Sequence, residues 1–344
     1  MKTLRMLIVF SALLAAASAQ MPSAAGAQQF ASIGSLKLQS GELIRDCRLG
    51  YRTFGQLNDD KSNVVLFPTW FGGRTEELVG LIGPGKLVDS TRYFVVAVDA
   101  LGDGVSCSPS NSQAQPRMKF PQFAIRDMVE SQHLLLTRVL HITHVRAVMG
   151  ISMGGMQTFQ WAVAYPDFMD KAIPIVGSPR LAAYDLLLWQ TMIDAVEQNP
   201  LWKDGNYTQQ PAPREVEHIS DLALSTPEHY NQETTREKFL ASLKEPADTH
   251  FDSNDRIRQA QAMMGLDVSA PFGGSMERAA AAVKAPMLII VDAHDHMVTP
   301  GPALNFAKLK GAQTLVLEND CGHLGPGCEQ AKVGAAIADF LGKQ

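Results

Sequence analysis

The chain predicts an α/β fold: a mostly parallel central sheet flanked by helices, with an inserted helical cap. Three observations carry this. Short, β-branched apolar runs alternate with helical patterns. Those runs are continuously hydrophobic, as expected of strands covered on both faces. One long segment, residues 180–284, has helical patterns but no comparable strand. Of 344 residues, 46% are hydrophobic and 19% charged, which excludes a disordered chain and a small disulfide scaffold. With 30 basic and 35 acidic residues the net charge is −5. No Lys/Arg cluster stands out, so nucleic acid is not an expected partner.

Residues 1–19 read as a signal peptide. Lys2 and Arg5 supply positive charge, an apolar run follows, and Ala17-Ser18-Ala19 is a small-residue cleavage site, with a second at Ala25-Gly26-Ala27. The run is shorter than the ~20 residues that cross a bilayer, and no later segment reads as a membrane span. The expectation is an exported protein, periplasmic or secreted. Export permits disulfides among Cys47, Cys107, Cys321 and Cys328. Cys321 and Cys328 could close their own Gly- and Pro-containing loop, but three pairings, or four free thiols, are open. Zinc is disfavoured because no Cys-x-x-Cys pair occurs.

The first part of the core spans residues 30–179. After a stretch rich in Ala, Ser and Gln, residues 35–54 read as a β-hairpin around Ser40-Gly41. Buried strands follow at residues 63–69 (NVVLFPT), 93–99 (YFVVAVD), 145–151 (VRAVMGI) and 171–176 (KAIPIV), with helices over residues 127–140 and 153–164. The cap, residues 180–284, carries helical patterns near residues 184–198, 234–243 and 255–264. A structureless loop of that length would be unusual in a compact domain. The second part of the core, residues 285–344, adds strands at 286–292 (PMLIIVD) and 313–318 (QTLVLE) and a terminal helix over 329–341.

The chemistry concentrates at strand ends. Gly150-Ile151-Ser152-Met153-Gly154-Gly155 follows a strand and opens a helix, the setting of a nucleophile elbow. The turn is too tight for side chains beside the serine, and it sets Ser152 near a helix N-terminus that favours negative charge. A serine hydroxyl needs a base, so an acid and then a histidine are expected downstream. Asp295 stands just past PMLIIVD, and His323 follows QTLVLE. The roles assigned are Ser152 as nucleophile, His323 as general base and then acid, and Asp295 to orient and stabilise the imidazole. Asp320 is a lesser candidate for the acid. Asp292, His294, Asp295 and His296 could instead be read as a metal cluster or as solvated loop residues. His141 and His144 need no special role. Oxyanion donors are expected from the N–H of Met153 and of Trp70, with Phe71 as an alternative.

Several blocks together carry a family resemblance: residues 49–55 (LGYRTFG), 81–86 (LIGPGK), 89–95 (DSTRYFV), 125–129 (IRDMV) and 152–157 (SMGGMQ) with Trp161. Residues 199–202 (NPLW) and 205–207 (GNY) extend the match into the cap. The chain resembles the homoserine O-acetyltransferase group of α/β-hydrolase-fold enzymes. The resemblance implies the triad Ser152, Asp295 and His323, a central helical cap, an acyl-serine intermediate, and pairing of two copies through the cap. Departures redirect the substrate. Leu324 follows the histidine where the family has an acidic residue, and no arginine near residues 219–226 fits the family's carboxylate-binding position; Arg214 is the nearest. The loop at residues 102–109 (GDGVSCSP) also departs from the family's glycine-rich pattern. Losing two charged contacts, each worth roughly 1.5–3 kcal/mol, weakens recognition of a zwitterionic amino acid. The expectation is an exported serine esterase acting on a small-molecule ester, without cofactor or metal. An O-acyltransferase is the alternative.

Overall fold

The computed structural model describes residues 26–343. Eight strands form one sheet in the order β1-β2-β4-β3-β5-β6-β7-β8. β1 (Gln29–Lys37) and β2 (Leu43–Phe54) make an antiparallel hairpin, and β2 pairs antiparallel with β4 (Phe94–Val98). β3 (Val64–Pro68), β5 (Val145–Ile151), β6 (Met169–Ile175), β7 (Leu288–Asp292) and β8 (Gln313–Leu317) continue it in parallel. The hairpin turns where Ser40-Gly41 predicted, closed by the Gly41 N–H on the Leu38 carbonyl at 2.9 Å. Its first strand begins at Gln29, six residues ahead of the expected start.

Alternation along buried strands feeds two cores. Val65, Phe67, Val95 and Ile290 face one side, with Phe340 of the C-terminal helix. Leu66, Val96, Val148 and Val291 face the other, against Phe159, Trp161 and Phe306. Full burial of each such side chain stabilises by about 1.5–3 kcal/mol, so both helical layers are needed to hold the sheet.

The helices are α1 (Thr75–Leu78), α2 (Ile125–Leu134), α3 (Met153–Ala164), α4 (Ala183–Glu197), α5 (Pro213–Leu224) and α6 (Pro227–Glu233). They continue as α7 (Arg236–Ser242), α8 (Ser253–Met264), α9 (Met276–Ala282), α10 (Gly301–Lys310), α11 (Gly325–Cys328) and α12 (Gln330–Gly342). α2 starts two residues earlier than expected, because Asp127 accepts the Ala124 N–H at 2.8 Å and caps the entry, and it runs on as a π-helical segment to Val139. α4 to α9 fill the insertion between β6 and β7. Three of its helices match patterns read from the sequence. α5, α6 and α9 were not read, although Pro213 and Pro227 occupy first helical positions and Thr226 accepts the His229 N–H. Among the described residues no helix is long and apolar enough to cross a membrane. The signal-peptide residues lie outside the described range.

Two disulfides form. Cys321–Cys328 is the local bridge considered from sequence; Cys47–Cys107 ties β2 to the loop after β4. Among the described residues no cysteine is free.

Candidate active site

Ser152 occupies the turn between β5 and α3 with φ 57° and ψ −120°, a conformation side-chain-bearing residues rarely adopt. Its N–H donates to the Ile175 carbonyl at 2.8 Å, fixing the turn to β6. The flanking glycines are required by space. A Cβ on Gly150 would stand 2.3 Å from the Gly154 backbone, and one on Gly154 would stand 2.6 Å from the Pro68 carbonyl oxygen. No larger residue fits either place without moving a strand.

Asp295, beyond β7, accepts the N–H groups of Met297 and Val298 on Oδ1 at 2.8 and 2.9 Å. Its Oδ2 lies 2.7 Å from His323 Nδ1, and His323 Nε2 lies 2.8 Å from Ser152 Oγ. All three side chains are buried. With Nδ1–H donating to the carboxylate, Nε2 is left as an acceptor facing the serine hydroxyl. This arrangement can take the hydroxyl proton and later return it to a leaving group.

The rivals separate from this line. Asp320 turns away: its Oδ2 accepts from Gln232 at 3.0 Å, and its Oδ1 lies 3.5 Å from His229 Nδ1. In the loop proposed as a metal cluster, His294 and His296 are exposed while Asp292 and Asp295 are buried, and among the described residues their ligand atoms do not converge. Asp292 accepts the His294 N–H. Burial first, and the neighbouring Asp295 second, push its carboxyl above the usual range. His144 pairs with Asp170 on the surface.

Met153 is the first residue of α3, so its N–H has no intrahelical acceptor. Among the described residues the N–H groups of Trp70 and Phe71 also make no hydrogen bond, whereas Gly72 N–H donates to Gln259 Oε1 at 2.8 Å. Gln157 ties the two donor segments together: its amide donates to the carbonyls of Thr69 and Met153 at 3.1 and 3.2 Å. Asp185 of α4 accepts from Thr299 N–H and Oγ1, fastening the Asp295 loop to the insertion. The positioning contacts of Gln157, Gln259 and Asp185 span 88, 187 and 114 residues, and no local pattern announces them.

Residues 63–326 match the family described as the alpha/beta hydrolase fold. The chain belongs to the α/β-hydrolase fold family. This α/β hydrolase is 34% identical over 317 residues to a "probable esterase" of Corynebacterium glutamicum, covering 87% of this chain and 90% of that protein. It is 32% identical over 318 residues to an ethyl acetate hydrolase of Pseudomonas veronii, with the same coverages. A homoserine O-acetyltransferase of Geotalea daltonii is 31% identical, covering 77% and 82%. The resemblance read from the sequence therefore holds. Among solved structures, an acetylester hydrolase from Corynebacterium glutamicum superposes with a TM-score of 0.87 at 30% identity, over 92% of this chain and 96% of that one.

Two departures gain a structural reading in this α/β hydrolase. Leu324, apolar and 42% exposed, stands at the position next to His323. Arg214 donates to the carbonyls of Ser242 and Glu245 and is committed to the insertion's own packing. Arg256 of α8, overlooked in the sequence, lies 4.8 Å over the Phe251 ring and 5.8 Å over that of Phe71. Burial pushes its guanidinium down to about 10, so it stays charged at neutral pH. Phe71 packs edge-on against Trp189 and Phe251, giving the donor loop an aromatic wall.

Proposed function

We propose that this protein is an exported serine hydrolase that cleaves small esters through an acyl-serine intermediate. The observation that carries the reading is the hydrogen-bonded line from Asp295 through His323 to Ser152. Ser152 Oγ attacks the ester carbonyl as His323 takes its proton. The N–H groups of Met153 and Trp70 stabilise the oxyanion. The protonated imidazole, held by Asp295, delivers its proton to the departing alkoxide. Water activated by the same histidine then releases the acid and frees Ser152. In this reading residues 180–284 act as a cap over the site.

Hydrolysis is favoured over acyl transfer for three reasons. Leu324 and the committed Arg214 remove charged contacts to an amino-acid acceptor. The two esterase relatives match most of both chains. Export, read from residues 1–19, would separate the enzyme from intracellular acyl-CoA. Relatives named for ethyl acetate and acetyl esters support a small acyl group. O-acyl transfer of the homoserine O-acetyltransferase type is the second reading, supported by relatives that bear that name. Exposed Tyr184, Leu187 and Leu222 on α4 and α5 support pairing of two copies through the cap.

The mature protein assayed with a p-nitrophenyl ester series, with and without homoserine, separates the readings. Turnover of short acyl esters unaffected by homoserine supports hydrolysis. Acceleration with an acylated product supports transfer, and no turnover with either rejects both. Sedimentation velocity checks the dimer, and N-terminal sequencing of exported protein checks cleavage.

A further inference from the structure

His323 is carried by a segment with little regular structure, a 3-10 turn at Gly322–Leu324 followed directly by the short α11. No strand holds it, yet its imidazole must keep two hydrogen bonds, of 2.7 and 2.8 Å, at once. The Cys321–Cys328 disulfide joins the residue just before this turn to the last residue of α11, with a sequence separation of 7. The insertion grips the same place. Thr226 donates to the Asp320 carbonyl from its N–H at 3.3 Å and its Oγ1 at 2.6 Å, and His229 Nδ1 lies 3.4 Å from Cys321 Sγ. Gly322 has φ +62°, and a Cβ there would come within 3.2 Å of the His294 carbonyl and of Ser225. The residue before His323 is thus wedged between the Asp295 loop and the insertion.

We propose that the Cys321–Cys328 disulfide is a positioning element for His323, holding its imidazole in register between Asp295 and Ser152. The inference rests on the role proposed for His323 above. Its physical basis is the sensitivity of catalysis to placement, since a misplacement of about 1 Å costs on the order of 100-fold in rate. The bridge removes the freedom that would allow such a shift. Cys47–Cys107 makes a natural control, because it joins buried residues of β2 and the loop after β4, and the hydrogen bonds of Cys107 run to Arg48 and Gly102 rather than to the site.

The test compares C321A/C328A with C47A/C107A, reading kcat and KM for p-nitrophenyl acetate well below each variant's Tm. The rate at which a fluorophosphonate labels Ser152 is read in parallel. C321A/C328A is expected to lower kcat about 10- to 100-fold with KM nearly unchanged, and to slow labelling by the same factor. C47A/C107A is expected to lower Tm while kcat stays. Should C321A/C328A fold poorly, wild-type protein supplies the answer. Cys328 is exposed whereas Cys47 and Cys107 are buried, so a mild phosphine reduces the local bridge first. The activity lost should return on reoxidation. Full kcat in C321A/C328A and in the reduced enzyme overturns the proposal, as does a loss matched by C47A/C107A. His323→Ala separates the two levels. An active His323→Ala enzyme rejects the functional reading and this inference together; an inactive one beside a fully active C321A/C328A rejects this inference alone.

Discussion

His323 Nε2 lies 2.8 Å from Ser152 Oγ although 171 residues separate them in the chain. That contact exists because β5 and β8 belong to one parallel sheet whose strand ends open on a common rim. If it activates the serine, Ser152→Ala should lower kcat for p-nitrophenyl acetate by at least about 10⁴-fold while circular dichroism stays native. Undiminished turnover would sink the assignment.

Ser152 also stores backbone strain at φ 57° and ψ −120°. Such a residue costs on the order of 1–3 kcal/mol, and glycine is spared most of it. Ser152→Gly should therefore be more stable than Ser152→Ala by about 1 kcal/mol in urea unfolding, with both inactive. Equal stabilities would mean that the strain is no larger than glycine's own entropic cost of roughly 0.5–1 kcal/mol.

Asp295 Oδ1 holds the N–H groups of Met297 and Val298 while Oδ2 faces His323. Asp295→Asn keeps the loop bonds but presents an amide to Nδ1, which favours the wrong imidazole tautomer. The expected loss in kcat is about 10⁴-fold with little change in Tm. A drop in Tm without that loss in kcat would give Asp295 a purely structural role.

Asp103 is buried. Its Oδ1 accepts the N–H groups of Val105 and Ser106, and its Oδ2 has no partner among the described residues. Burial, and then the neighbouring Asp99, push its carboxyl well above the usual range. The folded state therefore binds this proton more tightly than the unfolded chain does. Its contribution is most favourable below the unfolded pKa and declines as pH rises toward the folded value, by at most about 1.4 kcal/mol per pH unit. Asp103→Asn should raise Tm at pH 7 and flatten its fall as pH rises above about 4. A variant with the wild-type pH profile would refute the linkage.

Cys47 and Cys107 are 60 residues apart. Chain-entropy reasoning gives their bridge about 4 kcal/mol of stabilisation through the unfolded state. Urea unfolding of C47A/C107A should show a loss of that order. A change below about 1 kcal/mol would place the constraint elsewhere.

Local chemistry was enough to read the sheet and the serine turn. Apolar runs such as residues 64–68 can be satisfied only by burial on both faces, and the glycines around Ser152 admit only one kind of turn. Asp295 and His323 were legible because each lies in the loop a few residues past a β-rich run, although the run before His323, β8, is a mostly exposed edge strand. The insertion was only partly legible: α6 buries no side chain and rests on its proline start and Thr226 cap, and α5, although amphipathic, buries only Val216 and Ala223. The disulfide pairing, the grip of Thr226 on the His323 loop and the bridging by Gln157 and Gln259 depend on distances between segments far apart in the chain. Residue type and local spacing determine which chemistry is available; only the packed sheet and insertion decide which groups come within hydrogen-bond reach.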